Sequence, residues 1–472
     1  MTELLRYEKL ASELEGMIAD GALRHGDRLP SVRRLSQERR LSVSTVLQAL
    51  RQMESRGLVE ARPQSGYFVR RAMASHAEPS VRSTPDEPVP VDVSQRLVRV
   101  LKAGMRSGVA PLAAALPAPQ LLPLAALHRL YAGVARRHPK LLEGGSHINM
   151  DEPALVRQLV RRSLAWGGPL AGDEIVITNS CTEALSLCLR AVTKPGDTVA
   201  VESPAYYLML QLLETLGLKA LEIPTDPRLG MSVEALDLAT RDGKIAACLL
   251  VPNASNPLGS VMPDDKKRLL AALTAARGVA VIEDDIYGDL HFGQQRPWPL
   301  KAFDTTGNVM LCSSFSKILT PAMRIGFVAA GRYRAAIALQ KTITSGGTNP
   351  ITQHVLAEYL DSSAYERHLR QLRRSYEGQV DSMRAAVSRY FPAATRIAQP
   401  QGGFVLWVEL PEDLDATMIY ERAIAENLAY VPGELFSASG MYRNCLRLNC
   451  GNPHTPEIED AVRRLGAVIS RP

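Results

Sequence analysis

Between residues 174 and 314 six short apolar runs recur, each followed by helical or turn sequence: EIVIT, TVAVE, ALEIP, ACLLVP, VAVIED and NVMLCSS. Each run has strand length. Strands that alternate with helical stretches fold into a mostly parallel sheet with helices on both faces. The alternation therefore sets an α/β core in the middle of the chain. After about residue 345 the pattern changes to long Arg-rich amphipathic helices, and GGFVLWVEL, AYVPG and CLRLNC read as strands of a smaller α+β domain. At 472 residues the chain is too long for one compact core, so two or three domains are expected.

The first 70 residues have another character. Residues 5–20 carry Leu10, Leu14, Met17 and Ile18 at helical spacing. Ser31 and Ser42 each precede a helix-compatible run and can cap it, and Gly57 closes the second. LVEAR and GYFV read as two short strands joined by Pro63-Gln64-Ser65-Gly66. Two helices joined by a tight turn and followed by a ribbon form a winged helix-turn-helix, whose second helix is narrow enough for a major groove. Ser42, Val43, Ser44, Thr45 and Gln48 would face DNA. Arg33, Arg34, Arg39, Arg40, Arg51 and Arg62 are placed for phosphates, and the tip Ser65-Gly66-Tyr67 reaches the neighbouring groove. Charge agrees: residues 1–71 hold 13 Arg/Lys against 9 Asp/Glu, and the rest of the chain is close to neutral. The ordinary alternative is a small helical bundle with a solvated basic face.

From Arg71 to about Ser94 the sequence turns to Pro, Ser, Ala and scattered charge, which reads as a flexible, partly polyproline-like linker. Fully extended, it spans roughly 75 Å at ~3.1 Å per residue. The expected organisation is a DNA-binding domain over 1–70, the linker over 71–94 and the body over 95–472. Within the body a large domain covers about 165–340, and a small one about 341–472 plus the segment before 165. The six cysteines form no CxxC pair and no zinc-spaced cluster, so they read as reduced, mostly buried thiols of a cytoplasmic protein. Glu3, Arg6, Glu8 and Lys9 argue against a signal peptide. Residues 107–127 are uncharged, but Pro111, Pro117, Pro119 and Pro123 interrupt them, so no membrane span is expected.

The stretch SSFSKILTPAMRIG places Lys317 behind three serines and seven residues before Arg324. Lys317 can be a surface lysine, the lysine of a Ser-x-x-Lys nucleophile, or a Schiff-base lysine holding pyridoxal phosphate. The second reading needs Lys-Thr-Gly and Ser-Asp-Asn companions, which the sequence lacks. The third needs several companions, and each has a candidate. Ser314, Ser316 and Arg324 can meet the phosphate, together with Ser180, Cys181 and Thr182 where a strand runs into a helix N-terminus. Asp284 can pair with the ring nitrogen, and Tyr287 and Asn256 with the ring oxygen. Tyr206 can stack on the ring, and Arg447 can clamp a substrate carboxylate. Each residue alone has an ordinary reading: Asp284 as a strand-end acid, Tyr206 as core packing, Asn256 as a turn former, Arg447 in an ion pair, Ser180 and Thr182 as helix caps.

The head, LPSVRRLS followed by SVSTVLQALRQMESRGLV and the SGYFV wing, resembles the DNA-binding domain of GntR-type regulators. That resemblance implies DNA contact by Arg33, Ser42, Ser44 and Gly66. Val43 and Leu47 stand where many such proteins have arginines, so base readout is expected to be weaker or different, with apolar contacts to thymine methyls as one form of it. Residues from about 110 to 465 resemble a fold-type I, aspartate-aminotransferase-like pyridoxal phosphate enzyme through SCTEAL, ESPAY, NPLG, EDDIY, SFSK with Arg324, and LRLN. By that resemblance Lys317 carries the cofactor, and the companions above take the roles just given. The combination is similar to the MocR/GabR class of bacterial transcription regulators. Many relatives carry a Tyr-x-x-Pro-x-Gly stretch whose tyrosine reaches the partner subunit's phosphate. The region GGSHINMDEPALVRQ lacks it, so either His147 or Asn149 substitutes or that contact is missing.

Two functions follow from the resemblance. One is a regulator that binds promoter DNA half-sites as a head-to-tail homodimer and senses pyridoxal phosphate, an amine or an amino acid. The other is a working aminotransferase with a DNA-binding head. A DNA-reading helix benefits only the regulator.

Overall fold

The computed structural model describes residues 6–19, 22–23, 27–55, 58–62, 66–69, 76–143 and 151–471. Gly57, Pro63, Gln64, Ser65, His147 and Asn149 lie outside the described residues. The chain divides into two compact units, Met1–His76 and Ala77–Pro472.

The first unit holds α1 (Arg6–Ala19), α2 (Val32–Arg39) and α3 (Val43–Ser55), then an antiparallel ribbon of β1 (Val59–Arg62) and β2 (Gly66–Val69). Leu10, Leu14 and Ile18 of α1 share a core with Leu35, Val46, Leu50 and Met53, while Met17 is only partly buried. Both expected caps form. Ser31 Oγ accepts the Arg34 N–H at 3.3 Å, and Ser42 Oγ accepts the Thr45 N–H at 3.1 Å. The ribbon is tied to the chain ahead of α2, with the Leu29 N–H on the Tyr67 carbonyl at 2.8 Å. The unit is a winged helix-turn-helix.

The second unit opens with β3 (Val89–Pro90), α4 (Ser94–Gly104), α5 (Leu124–Arg137) and α6 (Pro153–Ser163). Alternation follows: β4 (Ile175–Thr178), α7 (Cys181–Val192), β5 (Thr198–Ser203), α8 (Tyr207–Thr215), β6 (Lys219–Asp226), β7 (Gly230–Met231), α9 (Val233–Thr240), β8 (Ile245–Leu250), α10 (Asp264–Arg277), β9 (Ala280–Asp284), β10 (Val309–Ser314) and β11 (Gly326–Ala329). All six apolar runs of the sequence are strands. Among the described residues they belong to one nine-stranded sheet, ordered β3-β6-β5-β8-β9-β10-β11-β4 with β7 on β6. Neighbours from β6 through β10 are parallel. β11 runs antiparallel between β10 and β4, and β3 and β7 run antiparallel to β6. Alternate residues feed cores on opposite faces: Val199, Val201, Leu249 and Ile282 on one, Ala200, Leu250 and Val281 on the other.

Then come α11 (Arg334–Thr344), α12 (Pro350–Asp361) and α13 (Ser363–Tyr390). They lead to a four-stranded antiparallel sheet of β12 (Arg396–Ile397), β13 (Val405–Glu409), β14 (Val431–Pro432) and β15 (Cys445–Asn449), ordered β12-β13-β15-β14. α14 (Ala416–Ala425) and α15 (Pro456–Ile469) complete the unit. Among the described residues no helix is long and apolar enough to cross a membrane.

One expectation is corrected. The second half of the linker is docked, because a buried carboxylate needs its donors. Glu409, at the end of β13, accepts the Ser80 N–H at 2.8 Å, the Ser80 hydroxyl at 2.9 Å and the Arg82 guanidinium at 3.2 Å. Arg82 also donates to Asn444 at 2.6 Å and lies 5.0 Å from the centre of the Tyr442 ring. β3 then joins the large sheet, and Val91 and Val93 are buried.

Candidate functional site

The chemistry-bearing residues stand at strand ends, where an open α/β sheet turns into loops. Ser180 caps α7 after β4, its Oγ accepting the Glu183 N–H at 3.1 Å, and Cys181 opens the helix. Tyr206 follows β5, and Asn256 lies beyond β8. Asp284 ends β9, with Tyr287 three residues later, and Ser314 ends β10, with Lys317 three residues later. Arg447 is the middle residue of β15 in the smaller sheet and is fully buried.

Two cations of this group are held by one segment of backbone. The Lys317 amine donates to the Ala115 carbonyl at 2.6 Å, and the Arg447 guanidinium donates to the Ala113 carbonyl. The segment is fixed in turn by Asn449, whose N–H donates to the Leu112 carbonyl at 2.7 Å and whose amide donates to the Pro111 carbonyl at 3.1 Å. Arg447 also reaches Asn256 Oδ1 at 3.5 Å, and it faces the Tyr207 and Phe436 rings at 5.5 and 5.7 Å. Tyr206 packs on Tyr207 with ring centres 4.7 Å apart, and Tyr287 lies beside Asn256.

Asp284 is buried and its two oxygens differ. Oδ1 accepts the Cys181 thiol at 3.3 Å and the Ile286 N–H at 3.1 Å, while among the described residues no hydrogen bond reaches Oδ2. Burial raises the Asp284 carboxyl to about 6, and the Lys317 charge acts against that. Lys317 is lowered to about 8, by burial first and by the Arg447 charge second, with Asp284 opposing. Burial also pushes the Tyr206 and Tyr287 phenols up.

The loop after β10 returns against the α7 N-terminus. A Cβ on Gly326 would lie 2.7 Å from the Ser180 carbonyl carbon, 2.8 Å from the Ser313 oxygen and 2.9 Å from the Cys181 nitrogen. Only glycine permits that approach. Arg324, two residues earlier, is exposed, has a left-handed backbone at φ 49°, and pairs with no acid among the described residues. Ser314 Oγ accepts the Ser316 N–H at 3.4 Å. Thr182 is exposed and, like Arg324, makes no side-chain hydrogen bond among the described residues.

This donor set fits pyridoxal phosphate. A depressed-pKa amine faces a buried carboxylate with one open oxygen. Arg324, which pairs with no acid among the described residues, stands two residues from Gly326, which packs on a helix N-terminus, and a phosphate takes both kinds of donor. Asn256 Nδ2 and Arg447 Nε are buried with no hydrogen-bond partner among the described residues.

On the first unit, Ser42, Val43, Ser44 and Gln48 are exposed, and Thr45 is half-exposed, on the first turns of α3. Ser42 Oγ bonds the Ser44 and Thr45 hydroxyls at 2.8 and 2.7 Å. Arg33 is exposed on α2, Arg62 ends β1, and exposed Gly66 opens β2 with φ 100°. Arg34 and Arg39 differ from expectation: they pair with Glu38 at 2.7 Å and Glu13 at 2.6 Å, because helix spacing and the α1 surface supply acids beside them.

Sequence reasoning missed four features: the carbonyls of Ala113 and Ala115, the thiol of Cys181 as a partner of Asp284, the rings of Tyr207 and Phe436 around Arg447, and the Arg296–Asp285 ion pair. The uncharged, proline-rich run 107–127 was the one available signal for the first.

Residues 6–69 match the family described as bacterial regulatory proteins, gntR family, and residues 158–465 match aminotransferase class I and II. Over 468 residues the chain is 38% identical to the uncharacterized HTH-type transcriptional regulator YjiR of Escherichia coli K12, covering 99% of both proteins. The chain belongs to the MocR-type branch of GntR-family transcription regulators. A second member, the uncharacterized HTH-type regulator YdcR of the same strain, is 39% identical over 98% of this chain and 99% of its own length. Among solved structures, LysN, the α-aminoadipate aminotransferase of Thermus thermophilus complexed with N-(5'-phosphopyridoxyl)-L-leucine, superposes with a TM-score of 0.71. It is 28% identical and covers 79% of this chain and 94% of its own. A MocR-type chain thus joins a GntR DNA-binding domain to an aminotransferase-like domain for pyridoxal phosphate.

Proposed function

We propose that this MocR-type regulator binds promoter half-sites as a homodimer in the cytoplasm. Its DNA affinity is set by pyridoxal phosphate and by an amine or amino acid at the cofactor. One observation carries the reading: a single chain presents an exposed hydroxyl-lined helix, α3, and a half-buried Lys317 beside Asp284.

In this reading Lys317 holds the cofactor, and Asp284 offers Oδ2 to the ring nitrogen. Asn256 and Tyr287 meet the ring oxygen, and Tyr206 covers the ring. Ser180, the Cys181 N–H, Thr182, Ser314, Ser316 and Arg324 surround the phosphate. Arg447 takes an effector carboxylate once the Ala113 carbonyl yields it. When bound, the cofactor supplies an electrophilic carbon that exchanges one amine for another. A head-to-tail arrangement of two chains would let a change in the body alter the spacing of the two reading heads.

DNA binding measured by fluorescence anisotropy, with and without pyridoxal phosphate and with a panel of amines and amino acids, tests the reading. An affinity that shifts with cofactor and with at least one amine is expected. An affinity indifferent to all of them would overturn the switch. The intact Lys317, Asp284 and Arg447 also support a second reading, a working aminotransferase. Sustained turnover with an amino donor and a keto acceptor would favour it.

A further inference from the structure

Three consecutive acids are buried where β9 ends: Glu283 and Asp284 within the strand and Asp285 just beyond it. Desolvating three carboxylates in a row is costly, so each needs its own compensation. Asp284 turns to Cys181 at the start of α7, whereas Glu283 and Asp285 bond a different set of groups. Glu283 accepts the Leu300 and Lys301 N–H groups at 2.7 and 2.8 Å, and burial pushes its carboxyl up against those bonds. Asp285 has the stronger partners. It accepts the Asn253 amide at 2.9 Å, and it takes the buried Arg296 guanidinium in an ion pair. Asn253 in turn accepts the Lys267 amine at 2.8 Å.

Arg296 is fixed on every side. Its Nε donates to Asp289 at 2.6 Å, Nη1 to the Pro297 carbonyl at 2.9 Å, and its plane lies 4.5 Å from the centre of the Trp166 ring. Gly288 completes the fit. A Cβ there would lie 2.3 Å from one Asp285 oxygen and 2.8 Å from Arg296 Nη2, so the pair occupies the space a side chain would need. As a stability device a buried ion pair is poor, since well-packed apolar residues serve as well. Its position, one peptide bond from Asp284, gives it an electrostatic use.

We propose that Arg296 is a positioning residue for the cofactor site: by neutralising Asp285 it keeps that second charge from adding to the one Asp284 presents to the ring nitrogen, beside Glu202, the other buried acid that interacts with Asp284. Asp285 unpaired would add a second negative charge beside the first. The inference rests on the reading of Lys317 as cofactor lysine and Asp284 as ring-nitrogen partner.

The test is a pH titration of the cofactor-loaded full-length protein, read as the midpoint between its visible band, which belongs to the protonated lysine–cofactor linkage, and its near-ultraviolet band. In Arg296→Gln the unpaired Asp285 makes the site more negative, favours the protonated linkage and should raise the midpoint by roughly half a pH unit or more. In Asp285→Asn the surplus positive charge should lower it by a similar amount. The double variant should return toward the wild type, and Arg296→Lys should stay near it. Should Arg296→Gln fail to fold, the isosteric Asp285→Asn still carries the test. Single-variant midpoints equal to the wild type, in a protein whose midpoint does respond to Asp284→Asn, would overturn this proposal alone. No visible band in the wild type would overturn it together with the cofactor roles proposed above.

Discussion

Lys317 and Arg447 are held by carbonyls only two residues apart: the amine on Ala115 at 2.6 Å and the guanidinium on Ala113. The smaller sheet and the large sheet thus meet the same short segment of chain, one cation from each.

Loading with pyridoxal phosphate should speed up as pH rises through about 8. Burial lowers Lys317 to that value, and only the neutral amine attacks the aldehyde. Stopped-flow absorbance between pH 6.5 and 9.5 checks this, and Lys317→Ala should give no visible band at any pH. A loading rate that stays flat across the range would contradict the depressed amine.

Cofactor affinity should fall as pH drops through about 6. There the Asp284 carboxyl, raised by burial, takes up a proton and stops pairing with the ring nitrogen. Fluorescence titration of cofactor-free protein at pH 5 and 7.5 reads the difference. Asp284→Asn should remove most of it.

Gly326→Ala should separate β11 from the α7 N-terminus, since all three atoms its Cβ would meet belong to backbone. A loss of about 1–3 kcal/mol in unfolding free energy is expected, with weaker cofactor retention. Denaturant unfolding and dialysis of the loaded protein measure the two effects.

Removing Asp289 should destabilise the fold. Burial works against its charge, but Arg296 and Arg162 outweigh that and hold the carboxyl well below its ordinary range. Asp289→Ala takes one of two acids from each arginine, leaving Arg296 with Asp285 and Arg162 with Glu366, and should cost about 1–3 kcal/mol. Because the carboxyl is depressed in the fold, its contribution is complete above the unfolded carboxylate value of about 4 and fades as pH falls below it. The acid-side slope of melting temperature should therefore be shallower in the variant.

On the DNA side, Arg33→Ala should reduce the slope of log affinity against log salt by about one, whatever the sequence bound. Val43→Ala should instead lose about 1 kcal/mol on sites whose thymine methyl meets α3, and nothing when deoxyuridine replaces that thymine. Anisotropy on the two oligonucleotides distinguishes the two residues.

Much of this protein is written locally and could be read locally. The six apolar runs became strands because period and length are properties of a few neighbouring residues. Ser31 and Ser42 became caps because a hydroxyl needs only the N–H three residues on. Lys317, Asp284 and Arg447 were legible as candidates because each sits in a short motif. What escaped reading depends on distant partners. Glu409 lies more than 320 residues from Ser80 and Arg82, so the docking of residues 77–93 leaves no mark in their composition. Cys181 was expected at a phosphate, yet its thiol turns to Asp284, 103 positions away. A carbonyl such as that of Ala113 has no residue-type signature at all.

The spacing of Ala113 and Ala115 makes the pocket a chemical comparator. A bare amine disturbs the grip on position 317 only, whereas a molecule bearing both an amine and a carboxylate must loosen two grips on one stretch of main chain. Putrescine-like and amino-acid-like visitors would thus leave different mechanical signatures in the same backbone segment.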